Sequence, residues 1–324
     1  MRTPLKLGAY ALGLAAVFIA AVGVGSIAGP APAPAAHTDT HHPAGTRTAT
    51  DHGDHQDGAS MSLPGGLQVA EDGYRLQPLT TTLSTTSAAP FRFRVIGPDA
   101  QPVTGYAVSH DKELHLIVVR RDLTGFQHLH PQRDSEGTWS VPIAVTEAGQ
   151  YRVFADFQPA GRGRGLTLGV DVPAPGGYQP VALPAPQQTA TVDGYTVSLD
   201  GVLTPGAASK LTLTVTRDGA PVTDLQPYLG AYGHLVALRE GDLAYLHVHP
   251  DGAPGDGHTA AGPRVTFFAE VPSAGTYRLF LDFQHAGTVR TAEFTAVAAP
   301  VPAPPTPAAS TSAAERGEPG HTHS

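Results

Sequence analysis

The sequence contains no cysteine, and its only methionines are Met1 and Met61. The absence of thiols excludes disulfide bonds, thiolate nucleophiles and cysteine-ligated zinc or iron–sulfur sites. A Cu(I) site of the soft, methionine-rich type is excluded as well. Charged residues make up only 15% of the chain, the net charge is −8, and basic residues cluster only at Arg120-Arg121 and Arg162/Arg164. We therefore do not expect a nucleic acid as a partner.

Glycine and proline are abundant, with 37 and 31 residues among 324. This composition favours short strands and turns over long helices. Apolar residues alternate with basic or hydroxyl residues at 91–95 and at 211–216, as in strands with one buried face. Turn signals such as Gly97-Pro98-Asp99 recur at short spacing. We predict an all-β chain with two tandem Ig-like, Greek-key antiparallel sandwiches.

The N-terminus predicts export from the cytoplasm. Arg2 and Lys6 precede an uncharged, mainly apolar stretch from Leu7 to Gly29. Such a stretch is long enough for a hydrophobic helix that spans a bilayer, while Ser26-Ile27-Ala28 offers small residues suited to cleavage. We therefore expect either a membrane anchor that leaves the protein facing outside, or a signal peptide and secretion.

Composition shifts along the chain predict six segments. The linker before the first domain carries five histidines among polar residues, and the segment between the domains is rich in proline and glycine. The predicted segments are 1–29 (signal peptide or anchor), 30–61 (disordered His-rich linker), 62–172 (first domain), 173–187 (linker), 188–298 (second domain) and 299–324 (disordered tail).

A histidine pattern occurs twice at the same spacing. In each half a lone histidine is followed thirteen residues later by a His-x-His-Pro run, and later by an Asp-Phe-Gln run. The first copy contains His115, His128, His130 and Asp156; the second contains His234, His247, His249 and Asp282. Two copies of one domain, each with one polar site, are the simplest interpretation.

Hairpin geometry predicts that the histidines of each copy converge. A two-residue turn at Glu240-Gly241 would place His234 opposite His247. The same register, with Arg121-Asp122 at the turn, would place His115 opposite His128. Opposed residues share a face, and so do residues i and i+2, so three imidazoles would meet on one patch. Each copy would then form a metal site. Its own aspartate would be a fourth ligand, an ordinary surface residue or, as we favour, an outer acceptor that orients an imidazole.

Imidazole and carboxylate groups without sulfur suit Cu(II) or Zn(II), and the general affinity order favours copper. The predicted function is therefore extracytoplasmic binding or buffering of a divalent transition metal. The alternative is a non-enzymatic envelope scaffold or interaction module, whose histidines are hydrogen-bonded and face the other domain or a partner protein.

The segments from Glu113 to Pro131 and from Tyr151 to Gln158 resemble exported bacterial proteins with YtkA-like or CopC-like Ig-type domains. The matching runs are Leu114-His115-Leu116-Ile117-Val118-Val119, Phe126-Gln127-His128-Leu129-His130-Pro131 and Tyr151-Arg152-Val153-Phe154-Ala155-Asp156-Phe157. The resemblance implies a sandwich fold outside the cytoplasm and an association with copper or other heavy metals. The N-terminal His-Met copper arrangements of some CopC-like proteins are missing here.

Enzymatic readings have less support. The run His247-Val248-His249 with the glycine-rich loop after it resembles the copper-site strand of Cu/Zn superoxide dismutases, in which His258 would take a bridging role. Tyr245 stands where that family has a small residue, and the first copy lacks the loop. Nucleophile motifs and phosphate-binding loops are also missing from the sequence. We therefore predict a protein that is not an enzyme.

Overall fold

A computed structural model describes residues 63–299, apart from the side chains of His247 and His249. These residues belong to one compact unit, Ser60–Ser324. All named strand pairs within the described range are antiparallel, and that range contains no helix, hence none able to cross a membrane. The predicted all-β class is confirmed. The predicted N-terminal hydrophobic helix and the His-rich linker lie outside the described residues.

The first half of the described chain forms two facing sheets. One sheet has the order β1-β2-β3-β7-β6, and the other has the order β5-β4-β8-β9. The strands are β1 (Ala70–Glu71), β2 (Tyr74–Pro78), β3 (Ala89–Ile96), β4 (Leu114–Arg120), β5 (Gln127–Leu129), β6 (Gln132–Arg133), β7 (Thr138–Ile143), β8 (Gly149–Phe157) and β9 (Leu166–Ala174).

The second half repeats this arrangement. Its order is β10-β11-β12-β16-β15-β14-β17-β18, because β15 pairs with β14 and, at its end, with β16; β13 pairs with β12. The strands are β10 (Thr189–Val192), β11 (Tyr195–Asp200), β12 (Ala208–Arg217), β13 (Ala220–Pro221), β14 (His234–Arg239), β15 (Tyr245–Pro250), β16 (Arg264–Glu270), β17 (Gly275–His285) and β18 (Thr288–Ala298). Both halves have the strand order of an immunoglobulin-type sandwich.

Strand β3 shows how sequence alternation builds each core. Phe91, Phe93 and Val95 have no exposed surface, whereas Arg92 between them is exposed. Successive side chains in a strand point to opposite faces, so the apolar set enters the sandwich and the basic set meets water. The alternation at 211–216 acts in the same way in β12. The sequence pattern predicted this.

Strands β4 and β14 are buried on both faces. All seven residues of β4 are buried, as are the first five of β14. One face packs inside its own sandwich, and the other face packs against the other domain. The second face forms a separate apolar cluster, whose buried members are Ile117, Val119, Leu123 and Phe154 from the first domain and Val236, Leu238, Leu243, Tyr245 and Phe280 from the second.

Two aromatic contacts across this interface are copies of each other. Phe126 stacks on Phe280 with ring centroids 3.9 Å apart and planes 6° from parallel. Tyr245 meets Phe154 at 5.3 Å and 34°. Residues 126 and 245 each precede a His-x-His pair by two positions, and residues 154 and 280 each precede the aspartate by two. Each domain thus contributes the aromatic residue before its His-x-His pair to one contact and the phenylalanine before its aspartate to the other. The docking is therefore approximately two-fold symmetric.

The chain just before β1 crosses the interface. Gly65 accepts a hydrogen bond from the Tyr245 amide at 3.0 Å, while the Gly66 amide donates to Thr167 at 2.8 Å. Gly66 has φ +75°, and a Cβ there would lie 2.4 Å from the ring of Phe154. Only glycine therefore lets the backbone pass between the two domains at this point.

Candidate metal centre

The hairpins that carry the histidines pair two residues away from the predicted register. Ile117 lies opposite His128, and Val236 lies opposite His247, instead of the lone histidines. The loops are longer than the predicted two-residue turns: the Arg239 amide bonds the Ala244 carbonyl, with Leu243 at φ +62° and fully buried. A shift by two positions keeps every side chain on its predicted face, so the histidines still point toward one patch.

In the first domain the three histidines converge. His115 on β4 is 3% exposed, His128 lies on β5, and His130 follows β5 immediately. One nitrogen from each side chain lies within 4.8 Å of the other two. Ring centroids are 5.3 Å apart for His115 and His128, and 4.8 Å apart for His128 and His130. The group could hold a metal ion.

Hydrogen bonds fix the orientation of two of these rings. His115 Nε2 donates to the Ser109 carbonyl at 3.1 Å, and His128 Nδ1 donates to Asp282 Oδ2 at 2.8 Å. The remaining nitrogens, His115 Nδ1 and His128 Nε2, face each other at 3.1 Å. Because a carbonyl and a carboxylate only accept, both outer nitrogens carry hydrogens, and in neutral rings both inner nitrogens present lone pairs.

The separation of these inner nitrogens matches that of two ligands on one ion. Imidazole nitrogens bound at about 2.0–2.1 Å lie roughly 2.9–3.4 Å apart when the angle at the metal is about 90–110°. Without an ion, one of the two rings needs a further proton to turn the contact into a hydrogen bond. The pair can therefore hold either a proton or a metal.

His130 is the third member of the cluster. Its Nε2 is buried and has no hydrogen-bond partner among the described residues. Burial, with the neighbouring His128 and His115 adding to it, lowers the pKa of His130 from 6.5 to about 3. The ring is consequently neutral at physiological pH, with a lone pair available. Buried polar atoms without partners are uncommon in folded proteins, and an ion is one explanation for such an atom.

His234 of the second domain lies beside this cluster. Its Nε2 donates to the Tyr228 carbonyl at 2.8 Å, as His115 does to Ser109 in the first domain. Its ring lies 6.2 Å from that of His128 and 5.3 Å from that of His110. Burial lowers the pKa of His234 to about 4. Its predicted partners, the side chains of His247 and His249, lie outside the described residues, so the second cluster stays a prediction.

The aspartates reach across the interface. Asp282, which was expected behind the second cluster, lies opposite His234 in the β14–β17 register, and its carboxylate binds His128 of the first domain and accepts from Thr291 Oγ1 at 2.6 Å. Asp156 pairs with His115 in the β4–β8 register and accepts from the hydroxyls of Thr167 at 3.3 Å and Tyr245 at 3.4 Å. The physical reason is the docking of the two outer faces, which lets side chains reach the opposite domain.

Sequence reasoning also missed the carbonyls that hold the lone histidines. Ser109 and Tyr228 each begin a tight hairpin turn whose two central residues have positive φ, His110-Asp111 and Leu229-Gly230. Both carbonyls lie six residues before the lone histidine, and that repeated spacing was the available signal. His258, which the dismutase resemblance singled out, is exposed in a loop where its amide donates to Asp256.

The fold and site define a class: a protein of two tandem antiparallel β-sandwiches, with a buried histidine cluster where their outer sheets meet. The family described as domain of unknown function (DUF8832) matches the chain twice, over residues 68–174 and 190–300. The chain therefore belongs to that family, with one copy of its domain in each half. Among curated proteins, none matches the chain significantly.

Several solved structures are similar over most of this chain at low identity. Bacterial invasin, an integrin-binding protein, is 15% identical over 69% of this chain and 39% of its own, with a TM-score of 0.20. Escherichia coli alpha-2-macroglobulin is 13% identical over 70% of this chain and 20% of its own, with a TM-score of 0.23. Titin A168169 is 12% identical over 70% of this chain and 97% of its own, with a TM-score of 0.19. This chain thus spans less than half the length of the first two.

Proposed function

We propose that this protein binds a divalent transition metal ion, Cu(II) or Zn(II), at His115, His128 and His130. The observation that carries the proposal is the 3.1 Å approach of His115 Nδ1 and His128 Nε2. Their outer nitrogens are held by a carbonyl and a carboxylate. Metal-ligating histidines commonly donate their second N–H to such acceptors, which fixes the tautomer and raises the basicity of the ligand.

The donor set narrows the identity of the ion. Three imidazoles without a thiolate or thioether favour Cu(II) and Zn(II) over Cu(I), and the general affinity order places copper above zinc. The unpartnered, buried His130 Nε2 supports a third ligand position. Three protein ligands would leave a further position on the ion for water or another ligand.

An extracytoplasmic location is part of the proposal. It rests on Arg2 and Lys6 before the apolar stretch Leu7 to Gly29, and on the resemblance to exported YtkA-like and CopC-like proteins. Binding or buffering of copper outside the cytoplasm is the role that best combines these features with the histidine cluster.

A second candidate is a scaffold whose histidines are structural. The bond from His128 to Asp282 joins the two domains, and its favourable geometry supports this reading. In that case the contacts of His128 with His115 and Asp282 would form a polar bridge within the interface.

Calorimetric titration of the metal-free full chain with Cu(II) and with Zn(II) separates the two candidates. We expect one strong site that His128→Gln weakens at least about tenfold, as loss of one ligand should. The matched control is His285→Gln, because His285 binds Tyr195 and Asp224 outside the cluster. Histidines outside residues 63–299 are the same in all three proteins, so any weak binding by them cancels.

Circular dichroism would verify that each variant is folded. Identical titrations for the wild type, His128→Gln and a triple variant with His115, His128 and His130 all changed to Gln would refute metal binding at this cluster. The structural reading would then stand.

A further inference from the structure

We infer that metal binding at His115, His128 and His130 is coupled to the docking of the second domain, with Asp282 as the positioning residue between them. This inference rests on the proposed function, because it describes how that same site is regulated. The coupling would make the metal ion a clamp that holds the two sandwiches together.

The Asp282 carboxylate is held in one place. Its side chain is 5% exposed, and that of His128 is 7% exposed. One oxygen accepts from His128 Nδ1 at 2.8 Å, and the other accepts from Thr291 Oγ1 at 2.6 Å. Thr291 lies opposite Asp282 in the β17–β18 register, so the second domain's own sheet aims the carboxylate at the first domain.

Two consecutive contacts align strand β5 with strand β17. Phe126, just before β5, stacks on Phe280 at 3.9 Å, and two residues further along each segment His128 bonds Asp282. Residues i and i+2 of extended chain share a face, so one docking movement would displace both contacts together. The orientation of the His128 ring therefore depends on where the second domain lies.

Other groups of the second domain cover the cluster. His234 lies 6.2 Å from His128, and Tyr228 lies 6.1 Å from His130, measured between ring centroids. The His128 side chain is 7% exposed and His130 Nε2 is buried, and a less polar environment strengthens the polar contacts within the site.

Thermodynamic linkage turns this geometry into a measurable coupling. Removing an acceptor that orients a metal-bound histidine commonly costs about 10–100-fold in metal affinity. By reciprocity, a metal that binds the docked state more tightly must stabilise docking by the same factor. Asp282→Asn keeps the shape of the side chain but removes its charge, and should therefore weaken both metal binding and docking.

The test uses the full chain with Zn(II) alone as the probe. Affinity is measured by calorimetry, and amide hydrogen exchange is followed by mass spectrometry with and without saturating Zn(II). In the wild type, Zn(II) should slow exchange in β5, which carries a ligand, and also in β17 (Gly275–His285), which carries none. In Asp282→Asn, Zn(II) affinity should fall about 10–100-fold. Protection of β17 should be lost, while protection of β5 remains at saturation.

Two further variants make the result decisive. Thr291→Val removes the hydroxyl that aims the carboxylate but leaves the charge, and should give an intermediate loss; it also serves if Asp282→Asn does not fold. Asp193→Asn is the matched control, because Asp193 pairs with Arg290 in the second domain at 3.4 Å and is largely exposed. This control should bind Zn(II) and protect β17 as the wild type does.

The remaining outcomes each overturn the coupling, in distinguishable ways. If wild type and Asp282→Asn bind Zn(II) equally, or if Zn(II) leaves β17 exchange unchanged in the wild type, then metal binding stands but the clamp is wrong. If the wild type binds Zn(II) no better than the variant without the three cluster histidines, the proposed function and the clamp both fail.

Discussion

The two domains repeat one frame but differ at the aromatic residue that precedes each His-x-His pair. Phe126 occupies this position in the first domain, and Tyr245 occupies it in the second. The Tyr245 hydroxyl donates to Asp156 across the interface at 3.4 Å, and a phenylalanine has no hydroxyl to offer Asp282. Asp282 accepts from His128 and Thr291. Tyr245 thus gives Asp156 a hydroxyl donor that Phe126 cannot give Asp282.

This difference teaches that duplication does not guarantee two equal sites. The aromatic frame is shared, because both domains contribute one ring of each interdomain pair. The polar residues around it are shared only in part: both lone histidines donate to a carbonyl six residues earlier, but the turn between them differs. His110 in the first-domain turn is replaced by Leu229 in the second, and it places an additional imidazole 5.3 Å from His234. A symmetric scaffold can therefore carry an asymmetric centre.

The largest expected effect tests the shared frame. Phe280→Ala and Phe154→Ala each remove a ring with 1% or less of its surface exposed. Each should lower the free energy of unfolding by about 3–5 kcal/mol, through lost burial and the cavity that remains. Urea unfolding of the metal-free chain measures this. Phe268→Ala is the control, because Phe268 is 48% exposed and should cost much less.

A loss below about 1 kcal/mol for both buried phenylalanines would contradict the interface, since burial on this scale stabilises far more. A large loss for only one of them would show that the two reciprocal contacts are unequal in energy as well as in geometry. Either result would change the comparison between the domains.

The fold class could be predicted from the sequence because alternation reports directly on burial. Phe91, Phe93 and Val95 predicted a one-sided strand, and the structure agrees. Within β4 the run from Leu116 to Val119 is apolar without alternation, as in strands buried on both faces. Such a run does not identify the second domain as the cover of the outer face.

The hairpin register could not be predicted for a physical reason. Periodicity fixes only the face of each residue, and pairings that differ by two residues share that property. The choice depends on a loop in which Asp242 accepts hydrogen bonds from Arg239 and the Ala244 amide, while Leu243 is buried in the interface. Because the burial of Leu243 depends on the other domain, the loop length follows from tertiary contacts.

The partner of each aspartate was hidden for the same reason. Asp156 and Asp282 occupy equivalent positions in their copies, so a repeat predicts the same role for both. Docking brings both of them to side chains of the opposite domain, Asp282 to His128 and Asp156 to the Tyr245 hydroxyl. The convergence of the histidines, by contrast, required only that each histidine lie on its predicted face of the strand. The first cluster therefore formed although the predicted register was wrong.

A second prediction compares the buried histidines that each domain contributes. The pKa is lowered to about 3 for His130 and to about 4 for His234, mainly by burial. Unfolded histidines titrate near 6.5, so below that pH the unfolded chain binds protons that the folded chain refuses. The stability of the metal-free protein should therefore be fully present above about pH 6.5 and fall progressively toward pH 4.

Urea unfolding at a series of pH values measures this loss. His130→Gln and His234→Gln should each flatten the profile, because burial lowers the pKa of both histidines. His285→Gln controls for the loss of a histidine outside the interface. Profiles with the same slope in all variants would mean that neither buried histidine resists protonation in the folded protein.

The smallest expected effect concerns the hydroxyl that distinguishes the two domains. Burial, with Asp156 nearby, raises the pKa of Tyr245 well above 10, so the phenol stays protonated and donates. Tyr245→Phe should cost about 1 kcal/mol of unfolding free energy, the usual net contribution of one hydrogen bond.

The reverse change, Phe126→Tyr, should place a hydroxyl near Asp282, compete with His128 for the carboxylate and weaken Zn(II) binding. Unchanged Zn(II) affinity in folded Phe126→Tyr would mean that a hydroxyl at this position does not compete with His128 for the Asp282 carboxylate.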